Sequence, residues 1–342
     1  MSQVELNNVK KAVEQGKVAN TYLILGNAQS DVIGSALSLV KAILKSPAWG
    51  QEVAQQQLSV ERLKGLANAD IHYYYPVNTT PEFKKSPSSS DFINHWREMV
   101  LKDSRISITD WYKKIGLGNK QGAINKDEAE KISKLAHLKS YEGGVKVFVI
   151  WMAEKMNLTA SNKLLKLLEE PPKKTVFILI SENEKRMLKT ITSRCQKIYI
   201  GAQKADNQEL KPEFESLFVE WVRAAFRVKG KKSAINELIA FSEKLSKKTR
   251  EEQKEFFIFC SEVFRDSISF GYKSSDRSAK YKGDLDLKKF APFVHEENIL
   301  SFYNELQKGY EDIERNGNPK IIFLDISIKL TRLLHLKPAE NV

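Results

Sequence analysis

The feature that most restricts the fold is a change of period part-way along the chain. Up to about residue 200, short apolar runs alternate with stretches of helical spacing; beyond residue 212 only helical spacing remains. Thr21-Tyr-Leu-Ile-Leu-Gly26 is an apolar run closed by glycine and reads as a buried strand. Val32–Leu44 follows, with Ile33, Ala36, Leu37, Val40 and Leu44 on one helical face. Ile71–Val77 is a second strand, and Lys126–Leu138 an amphipathic helix. Val145–Ile150 is nearly all apolar, as a strand covered on both faces must be. Thr159–Glu170 is a helix with Leu164, Leu165, Leu167 and Leu168 inward, stopped by Pro171-Pro172. Thr175–Ile180 and Lys197–Ile200 complete the strands. This alternation predicts an α/β domain built on a parallel sheet. Residues 78–91 hold breakers and no period, which predicts a mobile surface loop.

The polar stretch 201–212 reads as a linker, and everything after it as helix. Phe214, Leu217, Phe218, Trp221, Val222, Ala225 and Phe226 form one stripe; Thr249 and Glu252 are spaced as a capping box ahead of Phe256, Phe257 and Cys260; Pro319 opens a last helix. A chain of 342 residues is too long for one core. The expected division is 1–200 α/β, 201–212 linker and 213–342 all-helical.

Composition narrows the function. Hydrophobic content of 42% and charged content of 29% suit a soluble globular protein, and no apolar run approaches a membrane span. Met1-Ser-Gln-Val-Glu-Leu6 is not a secretory signal, so a cytoplasmic location is expected. Two cysteines, Cys195 and Cys260, exclude a disulfide framework and a four-cysteine zinc site, and the five histidines lack ligand spacing, so neither metal nor cofactor is expected. The net charge of +12 suggests nucleic acid or an acidic partner, but the lysine pairs are scattered and form no basic stripe.

Two motifs sharpen this. Asn162-Lys-Leu-Leu-Lys-Leu-Leu-Glu-Glu-Pro-Pro172 resembles a helix of bacterial DNA polymerase III clamp loader subunits, and Ser193-Arg194-Cys195-Gln196 resembles their Ser-Arg-Cys motif. The resemblance covers most of residues 1–200 and is of the delta-prime type; residues 116–142 look like the Bacteroidetes version. It implies an AAA+-type, P-loop-NTPase-like α/β domain followed by an all-α collar. Relatives carry a three-helix lid between these parts, for which only the short linker is left here, so the lid is expected to be reduced or absent. A four-cysteine zinc module found in relatives is also missing, because residues 45–70 contain no cysteine.

The nucleotide site departs from the hydrolysing relatives. A P-loop needs G-x-x-x-x-G-K-[ST] between strand and helix, so that backbone N–H groups wrap the phosphates, lysine offsets their charge and a hydroxyl holds Mg²⁺. Gly26 stands at the first glycine, then Asn27-Ala28-Gln29-Ser30; Asp31 replaces the second glycine, Val32 the lysine and Ile33 the hydroxyl residue. A carboxylate about 4 Å from one phosphate charge costs on the order of 4 kcal/mol at an effective dielectric near 20. The acidic pair that should follow the strand at Ile150 is Trp151-Met152, and Glu154 lies too far along to replace it. Ser181 stands at the position of a nucleotide sensor and is expected to be vestigial. No hydrolysis and no tight nucleotide binding are expected.

The resemblance gives Arg194 the role of an arginine finger acting in trans on a neighbour's ATP, with Ser193 and Cys195 positioning the loop. The implied partners are gamma/tau and delta subunits in a hetero-oligomer, the beta sliding clamp, and primed DNA reached through the complex. Two rival functions are an AAA+ ATPase with a non-standard site and a stand-alone nucleic-acid-binding protein.

Overall fold

The computed structural model describes residues 2–26, 30–142, 144–201, 212–272, 281 and 283–336. The chain divides into two compact units, 1–205 and 206–342. Most of the expected linker, 202–211, lies outside the described residues.

The first unit runs α1 (Ser2–Glu14), β1 (Thr21–Leu25), α2 (Val32–Leu44), α3 (Val53–Lys64), β2 (Ile71–Tyr74), α4 (Ile93–Lys102), α5 (Ile108–Lys114), α6 (Lys126–His137), β3 (Lys146–Trp151), α7 (Leu158–Glu169), β4 (Thr175–Ser181), α8 (Lys189–Thr192) and β5 (Gln196–Tyr199). The strands form one sheet in the order β2-β3-β4-β1-β5, and every pairing is parallel. β1, β3 and β4 are buried at every position, which is why they read as unbroken apolar runs. In β5 only Ile198 is buried, as suits an edge strand, and Glu5 of α1 accepts the Tyr199 N–H at 3.1 Å. A parallel-sheet α/β domain with an all-helical unit after it is the arrangement the sequence predicts.

Lys146 opens β3 and is buried. Its ammonium donates to the carbonyls of Leu135, Ala136 and Leu138, so it closes the C-terminal end of α6, where a helix leaves acceptors unpaired. Burial pushes its pKa down.

Residues 78–91, predicted to be a mobile surface loop, have an exposed middle and are tied to the domain by several hydrogen bonds. The Thr80 N–H donates to the Phe83 carbonyl at 2.9 Å, the Tyr75 hydroxyl to the Ser89 carbonyl at 2.6 Å, and the Ser89 N–H to the Glu128 carboxylate at 3.0 Å. Ser88 and Asp91 cap a single 3-10 turn that delivers Phe92 into the core. Ser, Thr and Asp favour turns by bonding to nearby backbone. Here those bonds fold the segment inward onto an aromatic group of Phe83, Phe92, Trp96 and Trp111.

α3 is held by a polar clasp. Glu142 accepts from Ser59 at 2.5 Å, Arg62 at 2.7 Å and Asn68 at 3.2 Å.

The second unit comprises α9 (Pro212–Arg227), α10 (Ile235–Ser246), α11 (Arg250–Gly271), α12 (Leu287–Phe290), α13 (Glu296–Glu314) and α14 (Pro319–Leu333). Thr249 caps α11, with the reciprocal Glu252 bond to the Thr249 N–H at 3.0 Å. The aromatics fill the core: Trp221 stacks on Phe241, Phe264 on Phe302 and Phe257 on Phe323, and the Trp221 indole donates to Ser327 at 2.7 Å. Gly309 lets α13 lie close against α11 and α14, because a side chain there would strike Ile326 and Phe257.

Candidate functional site

β1 ends at Leu25, and the Gly26 N–H donates to the carbonyl of Ser181, the last residue of β4, at 3.3 Å. A Cβ on Gly26 would lie 2.5 Å from Val32 Cγ1 and 3.1 Å from the Ile200 carbonyl. Glycine is therefore required here by packing alone, with or without a phosphate. Asn27, Ala28 and Gln29 lie outside the described residues. Ser30 donates to the Ile200 carbonyl at 3.0 Å.

Asp31 is the N-cap of α2. Its Oδ1 accepts the Gly34 N–H at 2.8 Å and the Ser104 hydroxyl at 2.8 Å. The start of a helix favours anions through its free N–H groups and its dipole. In this chain the protein's own carboxylate sits there. Val32 and Ile33, at the lysine and hydroxyl positions, are 5% and 2% exposed and belong to the sheet's core.

The other half of the expected site is buried. Trp151 extends β3 one residue beyond the expected end and is 1% exposed, its ring 5.2 Å from that of Trp96. Met152 takes a left-handed backbone, φ 56°, and is buried in the same core. Glu154 is not remote from the sheet, as its sequence distance suggests. The left-handed residue and the turn after it swing its carboxylate back, and it accepts the Glu182 N–H at 3.1 Å, just past the end of β4. Burial pushes the Glu154 pKa up, opposed by hydrogen bonds from the backbone and from Ser181. Ser181 is the final residue of β4, fully buried, its hydroxyl accepting the Asn183 N–H at 3.1 Å.

The arginine loop lies elsewhere. α8 turns through Ser193, Arg194 and Cys195 into β5, and all three side chains bond back onto α8. Ser193 Oγ donates to the Thr190 carbonyl at 3.3 Å, Arg194 Nη1 to the same carbonyl at 2.7 Å, and Cys195 Sγ to the Ile191 carbonyl at 3.2 Å. Burial pushes the Cys195 thiol up to about 12, so it is protonated at neutral pH and no nucleophile. Arg194 Nη2 is 2.7 Å from Glu169 Oε1 at the end of α7, a contact the sequence reading missed.

The register separates the two sites. β5 runs parallel to β1, with Gln196 opposite Tyr22 and Tyr199 opposite Leu25. Arg194 precedes β5 and so lies at the beginning of β1, whereas Gly26 and Asp31 follow its end. Strands rise about 3.3 Å per residue, which puts about 15–20 Å between them, beyond the reach of one side chain. The geometry thus brings together Gly26, Asp31, Val32, Ile33 and Ser181, buries Trp151 and Met152 beside them, and holds Ser193, Arg194 and Cys195 apart.

Among the described residues no group of His, Cys, Asp and Glu is arranged to hold a metal ion, and no helix is long and apolar enough to cross a membrane.

A DNA polymerase III delta-prime subunit from Bacillus subtilis is 38% identical over 186 residues, covering 54% of this chain and 43% of that protein. The delta-prime subunit of Pseudomonas aeruginosa is 55% identical over 53 residues, 16% of each chain. The matches thus span less than half the length of these curated relatives. A solved DNA polymerase III gamma subunit-related protein from Thermotoga maritima aligns over 96% of this chain and 100% of its own at 17% identity, with a TM-score of 0.35 that carries no argument. The family model described as DNA polymerase III, delta subunit, matches residues 2–204, more than half of the chain, and the chain belongs to that family.

Proposed function

We propose that the chain is the non-hydrolysing delta-prime member of a DNA polymerase III clamp loader. It assembles with gamma/tau and delta subunits through its helical unit, 213–342, acting as a collar. It supplies Arg194 to a neighbour's ATP and helps place the beta sliding clamp on primed DNA. Any contact with DNA is to backbone phosphates, independent of sequence and weakened by salt.

The observation that carries this reading is the opposition between the two sites. Asp31, Val32, Ile33 and Trp151 fill the chain's own cradle, while Arg194 keeps a half-exposed guanidinium at the far end of the sheet. Arginine is always protonated and presents a planar fork to phosphate oxygens. An arginine this far from its own cradle is out of reach of a nucleotide there, which supports a role toward another subunit's. Glu154 gives little support to an independent ATPase. Burial favours its neutral form, and its carboxylate is engaged with the Glu182 N–H.

The test is ATPase turnover of the reconstituted complex with clamp and primed DNA, comparing wild type with Arg194→Ala. Arginine fingers contribute roughly 10³–10⁵ in rate, so a loss of at least about a hundredfold with assembly intact is expected. An unchanged rate would leave the chain a scaffold. ATP turnover by the purified chain alone would favour the unorthodox ATPase.

A further inference from the structure

The two motifs that stand out in the sequence, Leu167-Leu-Glu-Glu-Pro-Pro172 and Ser193-Arg194-Cys195, meet in one contact: Glu169 Oε1 lies 2.7 Å from Arg194 Nη2. We infer that Glu169 is the positioning residue for Arg194, fixing the direction in which the guanidinium faces a neighbouring subunit's nucleotide. The inference rests on the trans arginine reading above and extends it to a second residue.

Three observations carry it. First, Glu169 is badly placed for its own helix. It occupies the last turn of α7, with Glu170 as C-cap, where the dipole disfavours carboxylates. A residue that contradicts local preference, yet finds a specific partner, marks a place where something other than helix stability sets the choice. Second, the guanidinium is held from two elements at once, Nη2 by Glu169 on α7 and Nη1 by the Thr190 carbonyl on α8, which is 2.7 Å away. A long side chain otherwise samples many rotamers, and two anchors in different directions leave few. Third, the pair is only partly shielded, the Arg194 and Glu169 side chains being 38% and 41% exposed. Exposed ion pairs contribute little to stability, so orientation is the better account of this one. Five N–H donors belong to a guanidinium, and these two contacts leave others for phosphate oxygens.

Glu169 touches no nucleotide under this proposal and acts only through Arg194. Preorganisation of a transition-state donor affects turnover more than substrate affinity. The experiment uses the reconstituted complex with clamp and primed DNA, and compares Glu169→Ala, Glu169→Gln, Arg194→Ala and the double variant. Glu169→Ala is expected to lower kcat for ATP by about tenfold, equivalent to about 1.4 kcal/mol, with KM within about twofold. Glu169→Gln keeps an acceptor for Nη2 and recovers most of the rate. The double variant is no slower than Arg194→Ala, because Glu169 has nothing left to position. Thermal unfolding of the isolated Glu169→Ala chain should match wild type, which separates orientation from folding. Wild-type turnover in Glu169→Ala beside a large loss in Arg194→Ala overturns the positioning role and spares the arginine. A higher rate in Glu169→Ala also overturns it, since the pair would then restrain the arginine. No loss in Arg194→Ala removes both.

Discussion

β1 and β5 are neighbours in the sheet, yet the end of the first and the start of the second lie at opposite ends of it and differ in chemistry. Beyond the end of β1 the described side chains are engaged by the chain itself. Asp31 takes the helix N-terminus, Val32 and Ile33 enter the core, and Trp151 packs on Trp96. At the start of β5 the arginine loop is short and partly exposed, and its Ser193 and Arg194 side chains bond to carbonyls and one carboxylate. The first region is held by burial and the second by direction. Substitutions in the first should therefore register as stability, and those in the second as activity of a complex. The lesson is that capping and apolar residues after a strand become part of the fold, whereas a partly exposed arginine is free to serve something outside it.

The comparison can be broken by measuring stability and finding the two regions alike. Trp151→Ala removes a nearly fully buried ring from a cluster with Trp96, and a loss of about 3–5 kcal/mol in urea unfolding is expected. A loss below about 1 kcal/mol would mean that the cradle is not packed as described. Asp31→Ala removes the cap of α2 and the Ser104 contact, for about 1 kcal/mol. Calorimetric titration of that variant with Mg–ATP should still show no binding, because Val32 continues to fill the lysine position; measurable affinity would make Asp31 the sole barrier. Arg194→Ala should change unfolding of the isolated chain by less than about 0.5 kcal/mol, in keeping with a partly exposed ion pair. A larger effect would move the arginine into the structural class.

One further test changes a curve rather than a midpoint. Burial raises the folded-state pKa of Glu154 above its ordinary value of 4.5. Between those two values the folded state binds the extra proton, so stability falls as pH rises through the window. Glu154→Gln keeps an acceptor for the Glu182 N–H and removes the ionisation. It should flatten the decline above pH 4.5 and leave the variant more stable than wild type at pH 7. An unchanged pH profile would show that Glu154 ionises as freely in the folded chain as in the unfolded one.

Much of this was legible in the sequence, for local reasons. The strands of the sheet's centre announced themselves because burial on both faces demands unbroken apolar runs, and α2 begins and ends where its apolar spacing does, at Val32 and Leu44. The Thr249–Glu252 cap was readable because its two residues lie three apart. That Asp31, Val32 and Ile33 follow the loop after β1, with no lysine among them, was equally plain.

What only the tertiary structure decided are relations between residues far apart in the chain. Residues 78–91 carry loop chemistry, yet Glu128 and Tyr75 bind them to the core. Glu154 looked too distant until the left-handed Met152 turned it back toward β4. Nothing near Glu169 names Arg194, and nothing near Asp31 names Ser104. The sequence by itself determined the elements and the capping and apolar residues after β1, because both depend on neighbours within a few residues. Which side chains these meet, and which carboxylate meets the arginine, was decided by the tertiary fold, whose parallel register places Arg194 at one end of the strands and Asp31 at the other.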